Sequence, residues 1–202
     1  RAYAMPNVYG SVAKVYITPD EQNNIESYTS KDVVSNPLAM NMYMLGYDNN
    51  KNLTTVNRAV KENLKTYLSQ YRMLTDSINL RDAYIINIGV DFDVVPLPHF
   101  NANEVVLNCI EALKAMFNID KWQINQPIIF SDIFNTLLGV QGVQTVTGVK
   151  IKNLNDEIAG YSNVSYSISE ATRNGIVYPS LDPAIFEVKY PNNDIKGRVA
   201  TF

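Results

Sequence analysis

The 202-residue chain contains one cysteine, Cys109, and one histidine, His99. A lone cysteine excludes an intramolecular disulfide, and Cys109 with His99 cannot supply a structural zinc site. Carboxylates alone remain as ligands for a hard cation. The glycines form no Gly-x-Gly-x-x-Gly, no phosphate-binding loop and no Gly-x-Ser-x-Gly turn. We therefore expect no cofactor and no metal centre.

Long apolar runs and concentrated positive charge are also missing. No window approaches 18 consecutive apolar residues, so the sequence predicts no membrane span. Lys and Arg are scattered without a run of three, the net charge is −3, and the pI is near 5.2. A nucleic-acid binder usually carries a basic excess or a basic stripe. We expect neither a nucleic acid nor a membrane as a partner.

The chain does contain amphipathic helical patterns and one long alternating strand. Apolar residues recur about one turn apart over 54–73 and over 102–118, with Thr54 or Thr55 and then Asn101 as the expected caps. A third, shorter helix is expected from Ser131. The strand over 84–95 has one apolar face. Because the link after the first helix is short, we expect that helix and this strand to cover each other.

These patterns predict an α+β fold, with amphipathic helices packed on a mixed or antiparallel β-sheet and an irregular C-terminal arm. Further strands are predicted over 8–17, 38–47, 143–151 and 185–190, and an exposed polar loop over 21–36. The expected segments are a β-rich part over 1–48 that continues from a missing upstream part, an α/β core over 49–152, and a loop-and-strand arm over 153–202.

Few side chains suggest chemistry. Asp91 and Asp93 share one strand face about 7 Å apart, a spacing open to acid–base work but typical of a solvated strand face. A small hydrolase or carbohydrate-active module that uses this pair is therefore an alternative function. His99 lies between Pro98 and Phe100 and is predicted to be a surface turn residue. Cys109 lies on an apolar helix face and is predicted to be a small core hydrophobe.

Methionine and tyrosine indicate contact surfaces. The alternating Met residues over 40–44 are typical of core packing, with a repackable contact surface as the second interpretation. The chain has 13 Tyr, a residue type favoured at protein interfaces. Those after residue 153 indicate either an arm that orders against a neighbour or a loop folded on its own domain. The interface candidates are Met40, Met42, Met44, Tyr67, Tyr71, Tyr161, Tyr166 and Tyr178.

A family resemblance is carried by the runs 59–68, 71–76, 78–80, 84–90, 117–122, 142–146, 178–183 and 186–190. These runs resemble the baseplate wedge protein of T-even-type contractile-tailed phages, which is related to the J-like baseplate assembly proteins. The resemblance covers most of residues 38–202 and corresponds to the C-terminal part of a much longer family protein. No short catalytic signature contributes to it.

The resemblance implies a structural protein of the virion without enzymatic activity. It implies a location in the tail baseplate after assembly in the host cytoplasm, and paired copies that close a ring with other baseplate wedge proteins. The homodimer and those wedge proteins are thus the expected partners, and the chain is expected to be a piece of a longer protein. A host-receptor binding module, which would present an exposed aromatic groove, is a further alternative.

Overall fold

A computed structural model of the chain describes residues 2–19, 39–71, 77–180 and 182–200. Helices and several mixed or antiparallel sheets make the protein α+β, as the sequence predicted. The chain divides into two compact units, Arg1–Ala83 and Tyr84–Phe202. This division differs from the three predicted segments, because strand pairing joins residues that are far apart in sequence. The polar loop predicted over 21–36 lies outside the described residues.

The first unit contains a sheet and one long helix. Its elements are β1 (Lys14–Pro19), β2 (Ala39–Tyr47), β3 (Leu53–Thr54), α1 (Arg58–Ser69) and β4 (Ser77–Asp82). β1 pairs with β2 in antiparallel fashion, β4 pairs with β2 in parallel fashion, and β3 pairs with the end of β2. Two short 3-10 turns, Ala2–Ala4 and Asn7–Tyr9, precede β1, so the predicted strand begins later than residue 8.

Helix α1 packs its apolar stripe on β2. Leu64 and Leu68 of the helix meet Met42 and Met44 of the strand in one buried cluster. The expectation that this helix covers the strand over 84–95 is wrong. The physical reason is that β4, which follows α1 in the chain, pairs with β2 and so places the helix over the sheet of the first unit.

The start of α1 also differs from the prediction. The helix is capped by Asn57, whose side-chain oxygen accepts a hydrogen bond of 3.1 Å from the backbone N–H of Ala59. Thr54 is instead the last residue of β3, paired with Gly46. A residue in a strand cannot cap the helix, so the expected cap at Thr54 or Thr55 is wrong.

The second unit is built on one long strand. Its elements are β5 (Tyr84–Pro96), α2 (Ala102–Met116), β6 (Ile128–Ile129), α3 (Phe130–Leu138), β7 (Val143–Asn153), α4 (Ile168–Ala171), β8 (Thr172–Arg173), β9 (Ile176–Val177), β10 (Ala184–Glu187), α5 (Pro191–Asp194) and β11 (Ile195–Val199). The long strand β5 pairs with β7 in antiparallel fashion and with β10 and β11 in parallel fashion, and β6, β9 and β8 form a separate small sheet.

One face of β5 forms the core of the second unit. The alternate residues from Ile86 to Val94 on this face are at most 1% exposed, as the period-2 pattern predicted. Helix α2 packs over β11 and helix α3 over β7. Asn101 caps α2, as expected, with its side chain accepting from the N–H of Asn103. The third helix begins at Phe130 and has no side-chain cap.

Much of the segment predicted as a C-terminal arm belongs to this sheet. All four residues of β10 are buried, and β11 lies beside the middle of β5. The preceding stretch is bound to the same strand, because the N–H of Ser162 donates to Oδ1 of Asn87 at 2.7 Å. These pairings are long-range, and no local pattern in residues 153–202 indicates them.

Candidate functional site

An apolar groove of about 650 Å³ lies in the first unit. The 3-10 turn, β1, β2, the end of α1 and β4 each contribute side chains to it. The surface that lines the groove is mostly apolar. Its volume lies within the ~300–1,000 Å³ common for binding clefts. The lining residues are Ala2, Tyr3, Val15, Tyr16, Ile17, Met40, Met42, Leu68, Tyr71 and Ile78.

Local structure holds the exposed rim of this groove. Ile17 of β1 and Tyr71, just after α1, are each 51% exposed. The rings of Tyr67 and Tyr71 pack edge to face with centroids 5.3 Å apart. The hydroxyl oxygen of Tyr3 accepts a hydrogen bond of 3.0 Å from the N–H of Val15. The rim therefore presents apolar surface to water, and the positions of two of its tyrosines, Tyr3 and Tyr71, are held by these contacts.

The three methionines predicted at an interface differ in their burial. Met44 is wholly buried and Met42 is 4% exposed, so both belong to the core of the first unit. Met40 is half-buried and lines the groove. Tyr67 is half-buried beside Tyr71 and donates its hydroxyl to the carbonyl of Ala4 at 3.3 Å. Of these candidates, Met40 and Tyr71 are the ones that offer contact surface in the groove.

The three tyrosines predicted after residue 153 lie in the second unit. Tyr161 donates its hydroxyl to Oδ1 of Asp194 at 2.5 Å. Burial, together with this hydrogen bond, raises the pKa of Tyr161 above its ordinary value. Tyr166 donates to the carbonyl of Tyr178 at 2.5 Å, and burial raises its pKa as well. Tyr178 is exposed. Of the eight predicted interface residues, five thus lie in the first unit and three in the second.

A second surface, the charged face, lies on the sheet of the second unit. It comprises the side chains on the face of β5 opposite the buried one, with their neighbours in register on β7 and β11. Asp91 is paired in register with Lys150 on one side and Lys196 on the other, and Asp93 is paired with Arg198. The charged face consists of Asp91, Asp93, Lys150, Lys152, Lys196 and Arg198.

Asp91 and Asp93 do lie on one strand face, as predicted. Lys152 forms an ion pair with Asp91, whose side chain is 25% exposed. Neither carboxylate lines the apolar groove or a second cavity of about 400 Å³ near Trp122. The pair thus stands between basic side chains on an open sheet face, an arrangement suited to charge recognition.

The other two predicted residues lie where the sequence placed them. His99 is exposed in a turn, with a φ of 79°. Cys109 is fully buried on α2, and burial raises its pKa from 9.0 to about 11. A buried neutral thiol packs as a small apolar side chain. Both predictions are confirmed.

Metal-binding and membrane-spanning features were sought in the part of the chain that the structure describes. There, no group of three or more His, Cys, Asp and Glu residues is arranged to hold a metal ion. None of the helices described has the length and apolar character needed to cross a bilayer.

Similarity to known proteins is found in structure and not in sequence. No protein-family model matches the chain, and no curated protein matches it. The fold is similar to a chain in the six-fold symmetrised cryo-EM structure of the anti-feeding prophage baseplate, with 10% sequence identity and a TM-score of 0.48. The match covers 74% of this chain and 29% of that chain. The present chain therefore spans less than a third of that baseplate protein.

Proposed function

We propose that the chain is a structural subunit of the tail baseplate of a contractile-tailed phage. It acts by binding a second copy of itself and other baseplate wedge subunits, and it catalyses no reaction. The resemblance of the runs between residues 59 and 190 to baseplate wedge proteins supports this assignment. The same resemblance supports a location in the virion after assembly in the host cytoplasm.

The apolar groove is the observation that carries association as the mode of action. Met40 has a flexible, unbranched side chain that allows it to fit a partner's surface. Tyr71 offers a large ring with a polar tip, a combination common at interfaces. Ile17 on the rim exposes aliphatic surface whose burial is favourable by about 25 cal/mol per Å². A partner that fills the groove would remove this surface from water.

A second copy of the chain is the occupant we favour. A specific contact between two copies buries at least ~1,000 Å² in total, which is more than a groove of this size supplies alone. β1 borders the groove through Val15, Tyr16 and Ile17. The rest of the contact must therefore come from surface around the groove.

Multi-angle light scattering tests this proposal. The mass of the wild-type chain should rise from monomer to dimer as concentration increases from about 1 to 100 μM, a range that reports micromolar association. Ile17→Lys places a charge on the groove rim and should weaken dimerisation at least tenfold. Leu107→Lys is the matched control, because Leu107 is a 56% exposed aliphatic residue on α2; it should change dimerisation less than twofold.

Co-expression with the other baseplate subunits of the same source tests the proposed binding to those subunits. We expect at least one of them to co-purify with the wild-type chain and with Leu107→Lys. Circular dichroism should show that both variants remain folded. A chain that stays monomeric at every concentration and binds none of these subunits would contradict the proposal.

The same groove supports a second candidate function, binding to a host receptor. Three tyrosines line it, which matches the aromatic groove expected of such a module. A receptor-binding chain should attach to host cells as a monomer, and Tyr71→Ala should reduce attachment. Attachment by a monomer that ignores the baseplate subunits would favour this alternative.

A further inference from the structure

We propose that the charged face of the second unit is a docking surface for an acidic helix of another protein. It lies on a different unit from the apolar groove, so the proposal does not depend on the association described above. Four basic side chains on two strands flank two carboxylates on the strand between them. No stretch of sequence contains this grouping.

Strand register fixes the geometry of the charged face. The residues of β5 from Val90 to Val94 pair with both β7 and β11, so these two strands lie on opposite sides of β5. Neighbouring strands are about 4.8 Å apart, which sets the two basic rows ~10 Å from each other. The rows are Lys150 with Lys152, and Lys196 with Arg198.

Glycines on the flanking strands confirm which way these side chains point. A Cβ atom at Gly197 of β11 would lie 2.8 Å from Val106 of α2, so that position faces the helices. Its neighbours Lys196 and Arg198 therefore face the opposite way, since side chains alternate along a strand. A Cβ atom at Gly148 of β7 would lie 3.7 Å from Oδ2 of Asp93, on the charged face.

The charged face is accessible to solvent, whereas the rest of the same sheet face is covered. The earlier half of the same sheet face is covered by the segment after β7. A Cβ atom at Gly89 would lie 3.3 Å from the Leu154 side chain, and the N–H of Ser162 donates to Oδ1 of Asn87. Beyond Gly89 this cover ends, and the side chains of both basic rows are exposed. The chain thus covers the half of the face that holds Asn87 and Glu187 and leaves the charged face accessible.

The charge on this face is opposite in sign to that of the whole chain. Four cations and two carboxylates give a net charge of +2 on the charged face, whereas the chain carries −3. Lys152 is held by Asp91, and among the described residues Lys150, Lys196 and Arg198 form no ion pair. These three cations are available to an external anion, and such attraction mainly accelerates and orients association.

The two central carboxylates select the kind of anion. A nucleic acid or another dense polyanion would bring negative charge against Asp91 and Asp93. An α-helix is about 10 Å wide with its side chains, which matches the separation of the basic rows. A helix with acidic residues on both flanks and a basic or polar residue along its midline complements all three strands.

Fluorescence anisotropy with a designed peptide tests this docking surface. The probe is a labelled helical peptide of about 20 residues, or ~30 Å, with Glu on both flanks and Lys along the midline. We expect it to bind the full chain, and to bind at least tenfold more weakly when salt rises from about 0.05 to 0.3 M. The double variant Lys150→Glu with Arg198→Glu should bind at least tenfold more weakly than wild type.

Two controls separate this surface from general charge attraction. Lys51→Glu with Lys65→Glu makes the same change in net charge at exposed positions of the first unit and should alter binding less than twofold. The milder variant Lys150→Gln with Arg198→Gln removes the two positive charges without adding negative ones, and should show an intermediate loss of binding. It keeps the test valid in case the glutamates disturb the fold.

A single-stranded DNA oligonucleotide of similar charge provides the deciding comparison. We expect it to bind the wild-type chain more weakly than the peptide does, and to gain affinity in Asp93→Asn. Tighter binding of DNA than of the peptide would overturn the proposal in favour of a nucleic-acid surface. Failure of the peptide to bind, or equal losses in both charge-reversal pairs, would overturn it as well.

Discussion

Asn87 donates a hydrogen bond of 2.8 Å from Nδ2 to Oε2 of Glu187, a residue 100 positions later in the chain. Both side chains are almost fully buried, at 1% and 3% exposure. The amide oxygen of Asn87 accepts from the N–H of Ser162, whose hydroxyl donates to the carbonyl of Ile85. One side chain therefore joins β5, β10 and the segment that covers the sheet.

Replacing this amide should destabilise the second unit. Asn87→Leu keeps the approximate size but leaves the Glu187 carboxylate and the Ser162 N–H without these partners. A buried polar group that loses its partner costs about 1–3 kcal/mol, and more if it is charged. We expect the free energy of unfolding to fall by about 2–4 kcal/mol in urea denaturation. Asn155→Ala, an exposed loop position, should change it by less than about 0.5 kcal/mol.

Two glycines beside β5 should respond differently to alanine. A Cβ atom at Gly197 would lie 2.5 Å from the Phe92 ring, whereas one at Gly148 would have no contact closer than 3.7 Å. Gly197→Ala should therefore cost about 1–3 kcal/mol through overpacking, and Gly148→Ala should be nearly neutral. In a Phe92→Leu background, Gly197→Ala should cost less, because the ring that it strikes is gone. Equal costs for the two glycines would contradict this account.

The N-cap of α1 can be tested with two neighbouring residues. Asn57→Ala removes the hydrogen bond to the N–H of Ala59 and should lower the free energy of unfolding by about 1 kcal/mol. Thr55→Ala changes a residue that does not cap the helix and should have a smaller effect. Thermal denaturation of the two variants compares them directly. A larger effect at Thr55 would contradict the Asn57 cap and support Thr55 as the N-cap.

Cys109 should be unreactive in the folded protein. Burial raises its pKa from 9.0 to about 11, so the thiolate fraction at pH 8 falls roughly 100-fold, and access is blocked as well. Ellman's reagent should therefore react with Cys109 only as fast as the protein unfolds. A burst of reaction in native buffer at pH 8 would show that the thiol is accessible, and full reaction in urea is the positive control.

The sequence predicted well the features that depend on near neighbours. The alternation from Ile86 to Val94, the Asn101 cap and the burial of Cys109 each follow from spacing within a few residues. Helix α1 was found approximately, but its partner was not, because an apolar stripe shows that a cover is needed without showing which sheet supplies it. The parallel pairing of β10 and β11 with β5 depends on residues about a hundred positions apart.

The candidate surfaces divide in the same way. Met40 and Tyr71 were among the predicted contact residues and line the groove, whereas Met42 and Met44 share the same spacing and lie in the core. For the charged face, each strand carries a local signal: two like charges at positions i and i+2, which put both on one strand face. Nothing in the sequence joined those three doublets.

The sequence by itself determined the three longest helices described, the long strand β5, the apolar faces and the identity of each charged doublet, since these depend on local periodicity and on the residues present. Only the tertiary structure decided which sheet α1 covers, where the chain divides, and that scattered lysines and arginines surround Asp91 and Asp93. Strand register makes those choices, and register is set by the combined burial of many distant side chains at once.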